Sequence, residues 1–188
     1  MEPFLAAAKL LSAKNPDLKF MIAAPREKTY RDIQRQMELF KRKHGAESLE
    51  KIELSCGETA RWMQEASTGL AASGTVTVES AISDLPLVVA YKLNPVTFFM
   101  ARWILIGKLF RGFFTMPNII MDKCVFEEFL QDQVTPETLA DAMEKILPGG
   151  ERRNAVMADM QAMRDALSCG AENATANAAA AIMDVAMR

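Results

Sequence analysis

Pro86-Leu87-Val88-Val89-Ala90-Tyr91 runs between two turn-forming stretches with almost no polar position in it. A strand with one wet face alternates apolar and polar residues. A run without that alternation is a strand buried on both faces, the condition of a parallel sheet covered by helices. Leu18-Lys19-Phe20-Met21-Ile22-Ala23-Ala24 is a second strand and ends at Pro25, which cannot extend a ladder. Lys51 to Leu54 and Gly69 to Ala72 read as shorter strands. The segments between them have helical spacing. Arg26 to His44 carries Ile33, Met37 and Phe40 on one stripe of an otherwise charged helix, with Gly45 as its stop. Glu58 to Ala66 and Val76 to Ser83 are further helices. This alternation predicts the α/β class, a parallel Rossmann-like sheet with flanking helices, and ligands held at the carboxyl ends of the strands.

The remainder of the chain extends the pattern. Phe4 to Lys14 is helical and Asn15-Pro16-Asp17 is a turn. An α/β domain usually opens on a strand, so either this one starts unusually or the sequence is the C-terminal part of a longer protein. Asn94-Pro95 opens a helix over Val96 to Phe110, stopped by Gly112. Phe113 to Met116 reads as a last short strand and Pro117-Asn118 as a turn. Asp122 to Asp132, Pro136 to Leu147 and Glu151 to Leu167 read as helices. The alanine-rich tail, Asn173 to Met187, is a helix suited to pairing with another helix, as in a homodimer.

Several chemistries are excluded by what the chain lacks. Its net charge of −2 gives no basic field for nucleic acid. Cys56, Cys124 and Cys169 stand far apart with no C-x-x-C spacing, so they build neither a zinc site nor a disulfide framework and read as reduced cytoplasmic thiols. The one histidine, His44, ends the basic run Lys41-Arg42-Lys43, where cations suit a helix terminus. No histidine triad or histidine metal site follows from it. Met1 to Leu5 has no basic region before an apolar run and is not a signal peptide.

The sharpest chemical signal is Ser73-Gly74-Thr75, between a strand and a helix. Ser73 or Thr75 can cap that helix. Gly74 lets the main chain approach a ligand, and the unpaired N–H groups of the helix start attract anions. Glu79 lies one turn on from Thr75, suited to ribose hydroxyls rather than phosphate. A plain helix cap with a solvated glutamate satisfies the same spacing. The segment from Asn94 to Asn118 is rich in aromatic and basic residues, with Phe98, Phe99, Arg102, Trp103, Lys108 and Arg111. It is too short to span a bilayer. It reads either as an interfacial helix or as a core helix with a basic edge. Glu127-Glu128 and Asp132 are paired carboxylates of the kind that serve acid–base work, but on an amphipathic helix they more often form a solvated face.

Ala72-Ser73-Gly74-Thr75-Val76-Thr77-Val78-Glu79 resembles the Ala-Ser-Gly-Thr…Glu segment of the lipid-A-disaccharide synthase family. The resemblance extends through Leu85 to Phe98, with Val89-Ala90-Tyr91-Lys92 and Asn94-Pro95, then Met116-Pro117-Asn118-Ile119-Ile120 and Glu128-Phe129-Leu130-Gln131. Phe4 to Lys9 and Asn15 to Phe20 also resemble it. The resemblance implies a GT-B fold of two Rossmann-like domains. The C-terminal one binds the UDP of UDP-2,3-diacylglucosamine, and the acceptor is 2,3-diacylglucosamine 1-phosphate. The enzyme would be an inverting transferase without a metal or other cofactor, peripheral at the inner face of the bacterial inner membrane. On that reading residues 1–188 are the UDP-sugar-binding domain lacking its first strand and a Pro-Gly-Ser-Arg-type loop, with residues 172–188 as a C-terminal helix. The N-terminal acceptor domain and its catalytic carboxylate are absent, so no catalytic residue is expected among these residues and the chain alone is expected to be inactive. Ser73, Gly74 and Thr75 would cradle the UDP phosphates and Glu79 would meet the ribose. Lys92, Asn94 and Asn118 would lie at the cleft. Lys123 and Cys124 stand where the family carries an arginine and an acid. Another UDP-sugar enzyme of this architecture, an epimerase or a transferase, or a non-catalytic module would share the Ser-Gly-Thr…Glu element.

Overall fold

The computed structural model describes residues 1–72, 74–92, 112–168 and 174–186. Its strands are parallel throughout and form two ladders. β1 (Phe20–Ala24) pairs with β2 (Ile52–Cys56), with Phe20 opposite Ile52 and Ala24 opposite Cys56. β4 (Leu87–Tyr91) lies between β3 (Gly69–Ala71) and β5 (Glu127–Leu130). The helices are α1 (Glu2–Lys14), α2 (Glu27–His44), α3 (Thr59–Glu65), α4 (Val76–Ile82), α5 (Met116–Met121), α6 (Pro136–Ile146), α7 (Arg153–Ser168) and α8 (Ala174–Ala186). The α/β class and the parallel strand direction are as expected from the sequence.

Burial follows the apolar pattern. Leu87, Val88, Val89 and Ala90 of β4 are all buried, which its unbroken run requires. They join Leu139, Ala140 and Met143 of α6 and Val156, Met160 and Met163 of α7 in one core. A second core gathers Ile33, Met37 and Phe40 of α2 with Leu49, Ala24 and Leu5. α1 contributes to both, Leu5 to one and Ala7 and Leu11 to the other. Gly45 (φ 87°) ends α2, its N–H donating to Lys41 O at 2.8 Å. His44 closes the helix as expected, its ring 4.3 Å from that of Phe40.

Two elements differ from the sequence reading. The strand read over Phe113 to Met116 and the turn at Pro117-Asn118 give way to α5. Proline is at home in a first helical turn, where its missing N–H costs nothing, and Asp122 in the left-handed region (φ 48°) ends the helix. The helix read over Asp122 to Asp132 is instead β5, preceded by the fully buried Val125 and Phe126. Adjacent glutamates look like a wet helix face. Here each has a distant partner: Arg152 donates to Glu127, and Glu128 is held by α5 and the residues before it. Phe98, Phe99, Arg102, Trp103, Lys108, Arg111, Asn94, Ser73 and Cys169 lie outside the described residues.

Candidate functional site

β3 delivers the chain to Gly74 and Thr75, and α4 starts directly after them. Gly74 has φ 147°, and a Cβ built there would meet nothing within 4 Å. The main chain is therefore open to approach at this point. Gly74, Thr75 and Glu79 are all exposed. The inward hydrogen bonds of α4 begin with Thr77 N–H to Gly74 O at 3.2 Å, followed by Val78 and Glu79 N–H to Thr75 O at 3.0 and 3.1 Å. Among the described residues, the amides of Gly74, Thr75 and Val76 meet no main-chain acceptor, as the first N–H groups of a helix do not.

Of the two cap residues the sequence offered, Ser73 lies outside the described residues. Thr75 makes no side-chain cap bond. The turn is instead fastened from its buried side, where Thr77 Oγ1 donates to Gly74 O at 2.8 Å and Ser80 Oγ donates to Thr77 O at 2.9 Å. Both side chains are fully buried. Small hydroxyls satisfied by their own helix let α4 pack closely against α7 and α5. The hydroxyl of Thr75 and the carboxylate of Glu79 are left on the outer side.

Lys92 follows β4, the strand next to β3, so it lies at the same sheet edge as Gly74. It also lies near the start of α1. Burial, and then the charge of Lys92, hold the Met1 ammonium below its ordinary pKa.

Asn118 does not offer its carboxamide to a cleft. It is fully buried. Its Oδ1 accepts from Phe126 N–H at 2.8 Å, and its Nδ2 donates to Phe126 O and to Glu128 Oε1, each at 2.8 Å. It fastens α5 to the start of β5. Glu128, which sequence reasoning took for part of a wet helix face, is the hub of this arrangement. Oε1 also accepts from the N–H and hydroxyl of Thr115 at 2.8 and 2.6 Å, and Oε2 accepts from Phe114 N–H at 2.9 Å. The only hint was its position in the Glu128-Phe129-Leu130-Gln131 block. Lys123 is likewise engaged within the chain, 2.7 Å from Asp159 of α7. Cys124 is exposed, its Sγ 3.4 Å from Phe126 O. Burial opposes the charge of Arg152, but the carboxylate of Glu127 and then Cys124 outweigh it and hold the guanidinium above its ordinary pKa.

Two shallow surface concavities, one including Ala8, Phe20 and Lys51 and the other Glu2, Leu39 and Lys43, contain none of Gly74, Thr75, Glu79 or Lys92. No group of three His, Cys, Asp or Glu side chains among the described residues could hold a metal ion. No helix among them is long and apolar enough to cross a membrane.

What the arrangement offers is an outward-facing strand-to-helix turn whose amides meet no main-chain acceptor among the described residues, a carboxylate one turn on and a lysine after the neighbouring strand. The comparisons agree with the expectation from these same residues. The chain is 30% identical over 187 residues to the lipid-A-disaccharide synthase of Mannheimia succiniciproducens. It is 32% identical over 181 residues to that of Cellvibrio japonicus and 31% identical over 188 residues to that of Haemophilus influenzae. These alignments cover 97%, 96% and 98% of this chain but 45%, 44% and 45% of the relatives, so the chain spans under half their length. The model of one family, described as lipid-A-disaccharide synthetase, matches residues 1–182, and the chain belongs to that family.

Proposed function

We propose that this chain is the donor-binding, C-terminal part of an inverting glycosyltransferase of lipid A biosynthesis. In the reaction, the 6-hydroxyl of 2,3-diacylglucosamine 1-phosphate attacks the anomeric carbon of UDP-2,3-diacylglucosamine. The bond from that carbon to the UDP oxygen breaks with inversion, giving the β-1,6 disaccharide and UDP. The acceptor proton passes to a base in the part of the enzyme that these residues do not contain. The role of this chain is to hold the leaving group. The amides at Ser73, Gly74 and Thr75 face the diphosphate, and the positive end of α4 offsets the charge that builds on UDP as the bond breaks. Glu79 accepts from the ribose hydroxyls, Lys92 supplies a cation at the same edge, and Asn94 lines the cleft beside it. Asn118 contributes by holding the α5–β5 corner in place.

The observation that carries this reading is the open, outward-facing main chain at Gly74 and Thr75, at the carboxyl end of a parallel strand in a chain of this family. UDP is therefore expected to shift the amide resonances of Gly74 and Thr75, and Glu79→Ala is expected to weaken binding about tenfold, the scale of one lost hydrogen bond to a charged group. Unmoved resonances at millimolar UDP would sink the site. The purified chain alone is expected to give no disaccharide, and detectable turnover would overturn its assignment as the donor half. The acylated substrates put the working enzyme at the inner membrane surface, with Phe98, Phe99, Arg102, Trp103, Lys108 and Arg111 as the contact. Sedimentation with anionic liposomes at low salt, lost on Arg102→Glu with Lys108→Glu, tests that placement.

A further inference from the structure

The helical period divides α2 into two faces. Ile33, Met37 and Phe40 are buried in one core. On the opposite side Lys28, Arg31, Arg35, Leu39 and Arg42 fall at i, i+3, i+7, i+11 and i+14, a single stripe about 20 Å long. All five are exposed, Leu39 at 58%. Between Arg26 and His44 seven cations stand against three acids, a net of +4 in a chain whose total is −2. The positive charge of the chain is thus gathered on this one helix, with its core-facing side already occupied.

Helix stability does not account for the stripe. Cations suit the last turn of a helix and oppose the first. Lys41, Arg42, Lys43 and His44 obey that rule, but Arg26, Lys28 and Arg31 stand at the wrong end. The nearby acids are engaged elsewhere or at the margin: Glu27 with Arg31 and Glu38 with Lys41, each at 3.0 Å, and Glu2 with Lys43 at 2.6 Å. Among the described residues, Lys28, Arg35 and Arg42 have no carboxylate within ion-pair distance, and Asp32, the third acid of α2, pairs with none of them. Like charges left unneutralised along one helix face repel one another. Leu39 stands among them in water, and it also borders a hollow between α1 and α2 formed with Glu2, Gln36, Phe40 and Lys43. Basic and apolar surface are therefore continuous on this side. An external anionic surface that also takes one apolar side chain relieves both costs.

We infer that the outer face of α2 docks on the anionic headgroups of a phospholipid bilayer, with the helix lying flat along the surface. Lys28, Arg35 and Arg42 meet lipid phosphates, the two arginines through their forked guanidinium groups, and Leu39 enters between headgroups. A plane reaches every cation of a straight stripe at once, and basic clusters on a helix are drawn to anionic lipid in this way. A single strand of nucleic acid is held instead by aromatic side chains set between the cations, and the stripe has none. This docking turns the β1–β2 side of the chain to the membrane. It stands on the distribution of charge over α2 and needs neither the UDP site nor the contact placed in residues 94–118.

The test is sedimentation of the full chain, at low salt and without UDP, with vesicles of mixed phosphatidylcholine and phosphatidylglycerol and with vesicles of phosphatidylcholine alone. Binding is expected on the mixed vesicles only. Arg35→Gln with Arg42→Gln is expected to weaken it about thirtyfold, at about fivefold for each cation lost, while circular dichroism and melting stay unchanged because both side chains are exposed. Lys123→Gln with Lys145→Gln removes the same charge from the other side of the chain and is expected to change little. A bimane carried by Leu39→Cys, in a chain whose Cys56, Cys124 and Cys169 are serine, is expected to shift its emission to the blue on the mixed vesicles, as a group leaving water does. No binding, equal binding to phosphatidylcholine alone, binding undisturbed by the arginine pair, an equal loss in the lysine pair or a label that stays in water would overturn the proposal. Tighter capture by single-stranded RNA or by polyglutamate than by the mixed vesicles would give the stripe another partner and overturn it as well. Binding that survives Arg102→Glu with Lys108→Glu but not the arginine pair would fail the contact in residues 94–118 and keep this one, and the converse would keep that contact and fail this one.

Discussion

A carboxylate that accepts four hydrogen bonds from three residues fastens more than its own side chain. Glu128 holds Phe114, Thr115 and Asn118, and Asn118 in turn holds both main-chain groups of Phe126. Asn118→Ala leaves the Phe126 N–H unsatisfied in the interior and its C=O with only the weak thiol donor of Cys124. At about 1–3 kcal/mol per orphaned group, it is expected to lower the denaturant midpoint strongly without changing the slope of the transition. Glu128→Gln fills the same space but turns an amide NH2 toward one of the donors. A loss comparable to one or two of these bonds is expected, and an unchanged midpoint would show the network to be idle. None of this was legible locally. The donors to Glu128 lie 10 to 14 positions away, beyond the reach of any pattern in the neighbouring residues. Two adjacent glutamates therefore read as solvated. At the strand-to-helix turn the reverse held. Gly74 and Thr75 were legible because the chemistry of a helix start resides in the few residues that make it, although the hydroxyl that fastens the turn belongs to Thr77.

At the scale of elements, legibility follows what supplies the stabilisation. α2 and β4 were readable because each buries an apolar pattern of its own: Ile33, Met37 and Phe40 on a helical stripe, and Leu87 to Ala90 without a break. β5 and α5 were not, because polar bonds between distant positions decide them. β3 is only three residues long and depends on close approach to its neighbour. A Cβ at Gly69 would lie 2.6 Å from Leu87 Cδ2. Gly69→Ala is expected to cost about 1–3 kcal/mol by overpacking. Shortening the neighbour in Gly69→Ala with Leu87→Val is expected to recover part of that loss, a positive coupling read from a double-mutant cycle. Strict additivity would argue against this contact. α1 and α2 are joined at the surface by Lys43 Nζ, 2.6 Å from Glu2 Oε1. The hydrogen bond from Lys43, then its charge, hold the Glu2 carboxyl below its ordinary pKa. A carboxyl lowered in the folded state contributes stability above its unfolded pKa and loses it as pH falls through the folded value. The stability difference between the chain and Lys43→Ala is therefore expected to close on acidification through the carboxylate range, and a difference constant across that range would refute the link.

For the molecule as a whole, the central question is how two cores cooperate through one helix. Leu5 and Leu11 are both nearly fully buried in α1, at 2% and 3% exposure, yet Leu5 lies with α2 and β1 while Leu11 lies with β4, α6 and α7. Truncating either leaves a cavity at a typical cost of about 2–5 kcal/mol, so overall stability alone does not separate them. Native-state hydrogen exchange does, because local opening reports the unit in which the cavity lies. Leu5→Ala is expected to accelerate exchange first in α2 and around β1. Leu11→Ala is expected to do so first in α6 and β4, although the two side chains are less than two turns apart on one helix. Their six-residue spacing puts the two leucines about 120° apart around α1, but the sequence does not disclose which core each face meets. α1 and α3 touch both units, so where they are the chief link each truncation loosens its own core. If instead the chain unfolds as a single unit, the two variants will accelerate the same amides by the same factor. That result would mean the two ladders are bound as firmly as one sheet.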